Sequence, residues 1–318
     1  MSEELVHIEM ITYNHEAYIR QAIESVMMQK TNFKYRLIIG EDCSTDQTAS
    51  IVREYAEKYP EKITAIINEK NLGWVGNIKQ VRNIIAAKYV AILEGDDYWT
   101  DPLKLQKQVE FLEGNRNCQM VCSAGMVRYE DSAHKQNIQK MELFNSREIY
   151  DRNKFFLKHI LTGNLFLTCS LMYRTARFKE IHRILESTLV KHNIRSGDFL
   201  MQVLSICHEE SNYIFCFDDV SVVYRKHEGG ITNSIFTNRQ KYAERRIVFW
   251  TAFHSTKSIK NRLTLFSQII LLKYIQSNNI FYNLFSYVLT TLTETKTLNP
   301  QIHKTTYLTW ITRNQIKA

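Results

Sequence analysis

The first hundred residues alternate between short apolar runs and amphipathic stretches of helical length. Val6-His7-Ile8-Glu9-Met10-Ile11-Thr12 has the alternation of a strand, and Tyr13-Asn14-His15-Glu16 ends it. Residues 17–29 follow as a helix with Ile19, Ile23 and Val26 on one face. Tyr35-Arg36-Leu37-Ile38-Ile39-Gly40 is a second, more apolar strand, and it runs into Glu41-Asp42-Cys43-Ser44-Thr45-Asp46. Ser44, Thr45 and Asp46 are good N-cap residues, so a helix to about 59 starts there. Residues 62–68 form a third strand, 75–87 another helix, and 89–93 a strand short and apolar enough to be buried. Strands alternating with helices predict an α/β fold with a mainly parallel sheet and right-handed crossovers.

Beyond Trp99 the pattern is looser. Pro102 opens a helix over 103–113, and 118–128 reads as a strand crossing back through the core. Residues 131–153 are polar and weakly patterned, as expected of a loop region over one rim. A strand over 168–174, a helix over 200–208 and two short strands over 213–217 and 220–224 follow. From 236 the pattern is helical to the end, with no Gly or Pro until Pro300.

In each early unit the polar residues gather just after a strand. Tyr13-Asn14-His15-Glu16, Glu41-Asp42, Asn71 and Asp96-Asp97 are therefore expected at one edge of the sheet. Ligands of open α/β sheets bind at the carboxyl ends of the strands, and helix N-termini there favour a bound anion such as a diphosphate. Glu94-Gly95-Asp96-Asp97 then offers adjacent carboxylates beside a phosphate ligand, a combination that a divalent cation resolves. The plain alternative is a solvated Gly-Asp-Asp turn. No GxGxxG follows the first strand and no GxxxxGK[ST] occurs, which disfavours a dinucleotide enzyme and a P-loop NTPase.

With 318 residues, 44% hydrophobic, 23% charged and only 3 prolines, the chain has the composition of an ordered globular protein. Its six cysteines contain no CxxC pair and no hydrophobic leader precedes the first strand, so reduced thiols and a cytoplasmic setting are expected. Cys118 and Cys122 alone make a weak zinc site. The net charge of +8 is concentrated: residues 236–318 hold 12 Lys/Arg against 2 Asp/Glu. Arg245, Arg246 and Arg262 lie there among Phe249, Trp250, Phe253 and Phe266. Such helices either touch an anionic membrane, here at the inner face of the plasma membrane, or cap the preceding domain with solvated basic faces. No apolar run reaches the ~20 residues of a membrane span, and no motif argues for nucleic acid.

The pieces Thr12-Tyr13-Asn14-His15-Glu16, Glu41 to Asp46, Asn71-Leu72-Gly73-Trp74-Val75-Gly76-Asn77, Glu94-Gly95-Asp96-Asp97-Tyr98-Trp99, Gly197-Asp198 and Tyr224-Arg225-Lys226-His227-Glu228-Gly229-Gly230 occur in one order over residues 6–231. In that order and spacing they resemble the family-2 glycosyltransferases of the GT-A fold. The resemblance implies a Rossmann-like catalytic domain over 1–235, its nucleotide-sugar half about 1–100 and its acceptor half about 101–235, and a basic helical extension over 236–318. It implies inverting transfer of a sugar from a nucleotide diphosphate, most often UDP-linked, with Mn²⁺ or Mg²⁺. A saccharide or lipid-linked acceptor belonging to a cell-surface glycan is the expected partner. Asp42 would contact the nucleoside, with Thr12, Tyr13, Asn14 and Glu16 lining the same pocket, and Asn71, Gly73 and Asn77 would pass under base and ribose. Asp96 would face the ribose or sugar, Asp97 would hold the metal with His227 nearby, and Asp198 matches the catalytic base. Glu41 stands where an Asp is commoner, and 131–165 matches nothing specific.

Each role has a bland counterpart. Asp198 is also a natural N-cap, His227 could be a surface histidine in a turn, and Trp74, Tyr98 and Trp99 could be core rather than sugar-stacking rings. A sugar-nucleotide nucleotidyltransferase would need a Gly- and basic-rich loop where Thr12–Glu16 stands. A sugar-nucleotide or glycan-binding homologue without activity is the non-catalytic rival.

Overall fold

Ten strands share one sheet in the computed structural model, which describes residues 4–130, 141–144, 148–151, 166–192, 194, 197–207, 213–230, 238–257 and, singly, 262, 265, 266 and 269. The first half is a run of strand–helix units: β1 (Val6–Thr12), α1 (Ile19–Met27), β2 (Tyr35–Glu41), α2 (Thr48–Lys58), β3 (Ile63–Ile67), α3 (Gly73–Ile84) and β4 (Tyr89–Ile92). β3, β2, β1 and β4 lie side by side and all parallel. The mainly parallel α/β sheet expected from the sequence is thus present. β5 (Tyr98–Trp99), α4 (Lys104–Gly114) and β6 (Cys118–Tyr129) follow, and the short β7 (Met141–Phe144) and β8 (Glu148–Asp151) pair with β6 and with a later strand, Tyr213–Lys226.

The rest of the described chain is β9 (Met172–Arg174), α5 (Thr175–His192), α6 (Gly197–Ile206), β10 (Tyr213–Lys226) and α7 (Asn238–Ser255). The strand order is β3-β2-β1-β4-β9-β6-β10-β5. β9 is antiparallel to both β4 and β6, so it joins the parallel first half to the second. β10 runs parallel to β6 with register shifts near Phe217 and Val220, and antiparallel to β5.

Several elements differ from the pattern reading. The polar segment 131–153 contains β7 and β8 and is not all loop. The strand expected over 168–174 begins as a 3₁₀ turn, Thr168–Ser170, and only its last part is extended. The two strands expected between 213 and 224 are one irregular strand, and α5 was not legible at all. α6 starts at Gly197, three residues earlier than its apolar periodicity suggested.

β1 reads as alternating, yet its nominally polar residues His7 and Glu9 are buried, because helices cover both faces of a parallel sheet. Glu9 is satisfied by a bidentate ion pair with Arg82 of α3, at 2.7 and 2.8 Å. The guanidinium also lies over the Phe178 ring of α5. α7 packs against α6, with Val248, Phe249 and Ala252 fully buried and Phe249 set edge-on to Phe199. The described start of the basic tail therefore rests on the α/β domain; the rest of that segment lies outside the described residues. Among the described residues no helix is long and apolar enough to cross a membrane. All six cysteines are free thiols.

Candidate active site at the carboxyl ends of the strands

The loops after β1, β2 and β3 are stitched to one another by their own polar side chains. Asn14, at φ 53°, accepts the Thr45 N–H at 2.8 Å through Oδ1, and its own N–H reaches the Ser44 hydroxyl at 2.9 Å. Glu16 accepts from Gln47 N–H and donates its own N–H to Asp46. Asp42 is buried and its Oδ1 accepts the Leu72 N–H at 2.8 Å and the Asn68 amide at 3.2 Å. Asn71 accepts from the N–H of Gly73, whose φ of +70° favours glycine. Asn77 is buried against the sheet, donating to the Gly40 carbonyl at 2.9 Å. These hydrogen bonds fix the loops before any ligand arrives.

The β4–β5 turn carries the acidic residues. Gly95 lets this turn approach the end of β1: a Cβ there would stand 2.6 Å from the Thr12 hydroxyl and 3.1 Å from His15 Nδ1. Asp96 projects between two histidines from distant parts of the chain. Its Oδ2 is 3.1 Å from His227 Nε2 and 3.9 Å from His15 Nε2. One ligand-capable atom from each of His15, Asp96 and His227 lies within 4.8 Å of the others. Burial opposes ionisation of Asp96, but the His227 hydrogen bond and the two imidazoles hold its carboxyl below the usual range.

Asp97 points the other way. Its Oδ1 accepts the Arg225 N–H at 2.8 Å and its Oδ2 is buried, and a carboxylate oxygen of Asp97 lies within 4.8 Å of both the Cys169 thiol and a Glu94 carboxylate oxygen. Burial, then the charges of Asp96 and Glu94, push its carboxyl well above the carboxylate range. Glu94 is pushed up to about 8, first by burial and then by Asp96. Glu94 and Asp97 are thus pushed toward the neutral form, and Asp96 is held toward the ionised one.

Arg225 braces the arrangement. Its guanidinium donates to the Asp96 carbonyl at 2.5 Å and to Gln21 of α1, and lies over the rings of Tyr18 and Tyr98. Tyr18 in turn packs on His227 at 4.7 Å between ring centroids. His227 is only 8% exposed and is no surface histidine.

Residues 8–178 match the glycosyl transferase family 2 profile. The chain belongs to glycosyl transferase family 2. Its α/β sheet is that of the GT-A glycosyltransferases. An uncharacterised protein of Mycobacterium tuberculosis strain H37Rv is 33% identical over 74% of this chain and 63% of its own length. An uncharacterised glycosyltransferase of Methanocaldococcus jannaschii is 28% identical over 57% of this chain and 61% of its own. The chain thus spans just under two thirds of the length of these curated relatives. Among solved structures, S. aureus TarS 1-349 in complex with UDP-GlcNAc aligns with a TM-score of 0.59 at 18% identity, covering 89% of this chain and 76% of that one.

Of the expected family-2 residues, the fold brings Thr12, Asp96 and His227 into one cluster, together with His15, to which the motif pattern assigns no role. Asp97 was expected beside His227; the carboxylate the structure sets there is Asp96. Asn14, Glu16, Asp42, Asn71, Gly73 and Asn77 belong to the loop scaffold just described, and Tyr13 is exposed beside it. Asp198 lies in the first turn of α6, and its Oδ1 accepts the Phe199 N–H. A Cβ on the preceding Gly197 would stand 3.3 Å from the Trp74 ring at the start of α3, so Asp198 lies toward the same end of the sheet. Trp99 is a core residue, its indole N–H bonded to the Cys169 carbonyl, and Trp74 packs partly buried against Gly197.

Proposed function

We propose that the chain transfers a glycosyl group, with inversion, from a nucleotide diphosphate donor to a hydroxyl of a glycan or lipid-linked saccharide. The observation that carries this reading is the meeting of His15, Asp96 and His227 at the carboxyl end of a family-2 sheet. A UDP-sugar is the donor to test first, since TarS, which shares the fold, is known in complex with UDP-GlcNAc and with UDP.

In this reading Asp42 and the loop after β1 border the nucleoside. Asp96 and His227 hold Mn²⁺ or Mg²⁺, a role that passes from Asp97 to its neighbour because Asp97 is turned inward and bonded to Arg225. A carboxylate beside imidazole nitrogens is a donor set that fits such a cation. When bound, the cation offsets charge on the departing diphosphate. Asp198 takes the proton of the acceptor hydroxyl as its oxygen bonds to the anomeric carbon and the bond to the diphosphate oxygen breaks. Arg225 keeps the Asp96 turn and the Tyr18–His227 contact in register. The described start of the basic tail serves as a cap on the domain, and any contact of the remainder with a membrane is a secondary expectation.

The experiment is a nucleotide-release assay over a panel of UDP-, GDP- and dTDP-sugars with saccharide acceptors. Its product is examined by NMR for anomeric configuration. An inverted linkage formed by wild type and lost in Asp198→Asn supports the reading. Donor binding without any turnover on every acceptor, unchanged in the variant, would favour the non-catalytic homologue.

A further inference from the structure

The third member of the cluster, His15, comes from the loop after β1, its ring set edge-on to that of His227 at 5.9 Å between centroids. Three independent features aim it at Asp96. Its backbone N–H is anchored to the Thr48 hydroxyl at 2.8 Å, so the loop carrying it cannot swing away freely. Its Nδ1 meets Thr12 Oγ1 at 3.2 Å. In the tautomer with Nδ1–H donating to Thr12, the Nε2 lone pair faces the carboxylate, which is how proteins orient metal-bound histidines. Finally, Gly95 leaves room for this approach, because any Cβ there would collide with Thr12 and press on His15.

We propose that His15 is a third protein ligand, so that His15, Asp96 and His227 form a divalent-cation site already assembled before nucleotide binds. This deepens the donor-site reading above and rests on it. Two neighbouring ligand atoms on one cation stand about 3 Å apart, since metal–ligand bonds are about 2.1 Å. The His227–Asp96 separation of 3.1 Å already satisfies that, and the His15–Asp96 separation of 3.9 Å needs to close by about an ångström. Two imidazoles with one carboxylate suit Mn²⁺, Co²⁺ and Zn²⁺, whereas Mg²⁺ prefers oxygen ligands and retains its waters. A site built only from Asp96 and the donor's phosphates would have no such preference and would need the nucleotide to bind metal at all.

The test measures cation binding to the full chain without nucleotide. Mn²⁺ is followed by loss of the free-ion EPR signal, Co²⁺ by its visible absorption, and Mg²⁺ as a competitor. Wild type, His15→Ala, Gly95→Ala and Asp96→Asn are compared, each checked for folding by circular dichroism. Removing an outer-shell partner of a metal site costs 10–100-fold in affinity, so removing His15 itself is expected to cost at least about 10-fold. Gly95→Ala, which keeps every ligand but displaces Thr12 and His15, is expected to weaken binding as well. Mg²⁺ should displace Mn²⁺ only in large excess. Unchanged Mn²⁺ and Co²⁺ affinity in His15→Ala, with binding lost in Asp96→Asn, overturns the role of His15 and leaves the donor-site reading standing. Binding indifferent to Asp96→Asn overturns both. No Mn²⁺ or Co²⁺ binding by wild type without nucleotide overturns the preassembled site.

Discussion

His227 Nε2 and Asp96 Oδ2 are 3.1 Å apart although 131 positions separate them in the chain. β10 delivers the histidine and the turn after β4 the carboxylate, and the neighbouring Asp97 is tied to the same strand through the Arg225 N–H. The two adjacent aspartates therefore face opposite ways. Asp96 faces the histidines with its carboxyl held toward the ionised form, whereas Asp97 is buried and its carboxyl is pushed toward the neutral form.

Asparagine substitution separates the two. Asp97→Asn keeps an oxygen for the Arg225 N–H and replaces a carboxyl already pushed toward its neutral form by a neutral amide, so stability and Mn²⁺ affinity should stay close to wild type. Asp97→Ala leaves that buried N–H unpaired and should cost about 1–3 kcal/mol in urea unfolding. Asp96→Asn should fold normally and lose the cation. If Asp97→Asn rather than Asp96→Asn abolishes Mn²⁺ binding, the assignment is reversed.

Asp198→Asn should lower kcat by about 10²–10⁴-fold, the usual contribution of a general base, with the donor Kd unchanged. Steady-state kinetics alongside donor titration checks this. A drop in stability with turnover intact would instead make Asp198 a first-turn residue serving the helix dipole.

The Glu9–Arg82 pair is almost fully buried, with side-chain exposures of 2% and 4%. Breaking it strands a charge between β1 and α3. Glu9→Ala should therefore destabilise the chain by about 3–5 kcal/mol, read from the shift in denaturant midpoint. A loss below 1 kcal/mol would mean that water reaches Arg82 once its partner is gone.

Lys104 is buried over the Trp99 ring, and burial lowers its ammonium to about 7 from 10.5. Between those values the unfolded chain binds a proton that the folded chain does not, so this lysine's contribution to stability rises with pH across that window. Below pH 7 the full cost of the buried charge is present. Melting temperatures of wild type and Lys104→Met, compared from pH 6 to 9, should converge as pH rises. Parallel curves would show that Lys104 keeps its proton throughout.

The parallel half of the fold was legible because buried strands read as apolar runs and helices as 3.6-residue periods between them. The same burial on both faces concealed Glu9, which looks like the solvent side of an alternating strand until Arg82 meets it. β5, with two residues, and β7 and β8, within a polar segment, have no period long enough to detect. The motif residues could be located, but their facing could not. Nothing local distinguishes Asp96 from Asp97, since β10 decides which one it bonds. His15 was visible only as part of a turn, because its partners Thr12, Asp96 and Thr48 are assembled by the fold.

The proposed cation-assisted nucleotide diphosphate site is centred on Asp96. The most direct measurement is a calorimetric titration of UDP into wild type and Asp96→Asn, each with and without Mn²⁺. Wild type is expected to bind UDP, and to bind it far more tightly with Mn²⁺, whereas Asp96→Asn is expected to lose the Mn²⁺ dependence. UDP affinity equal in all four titrations would contradict it.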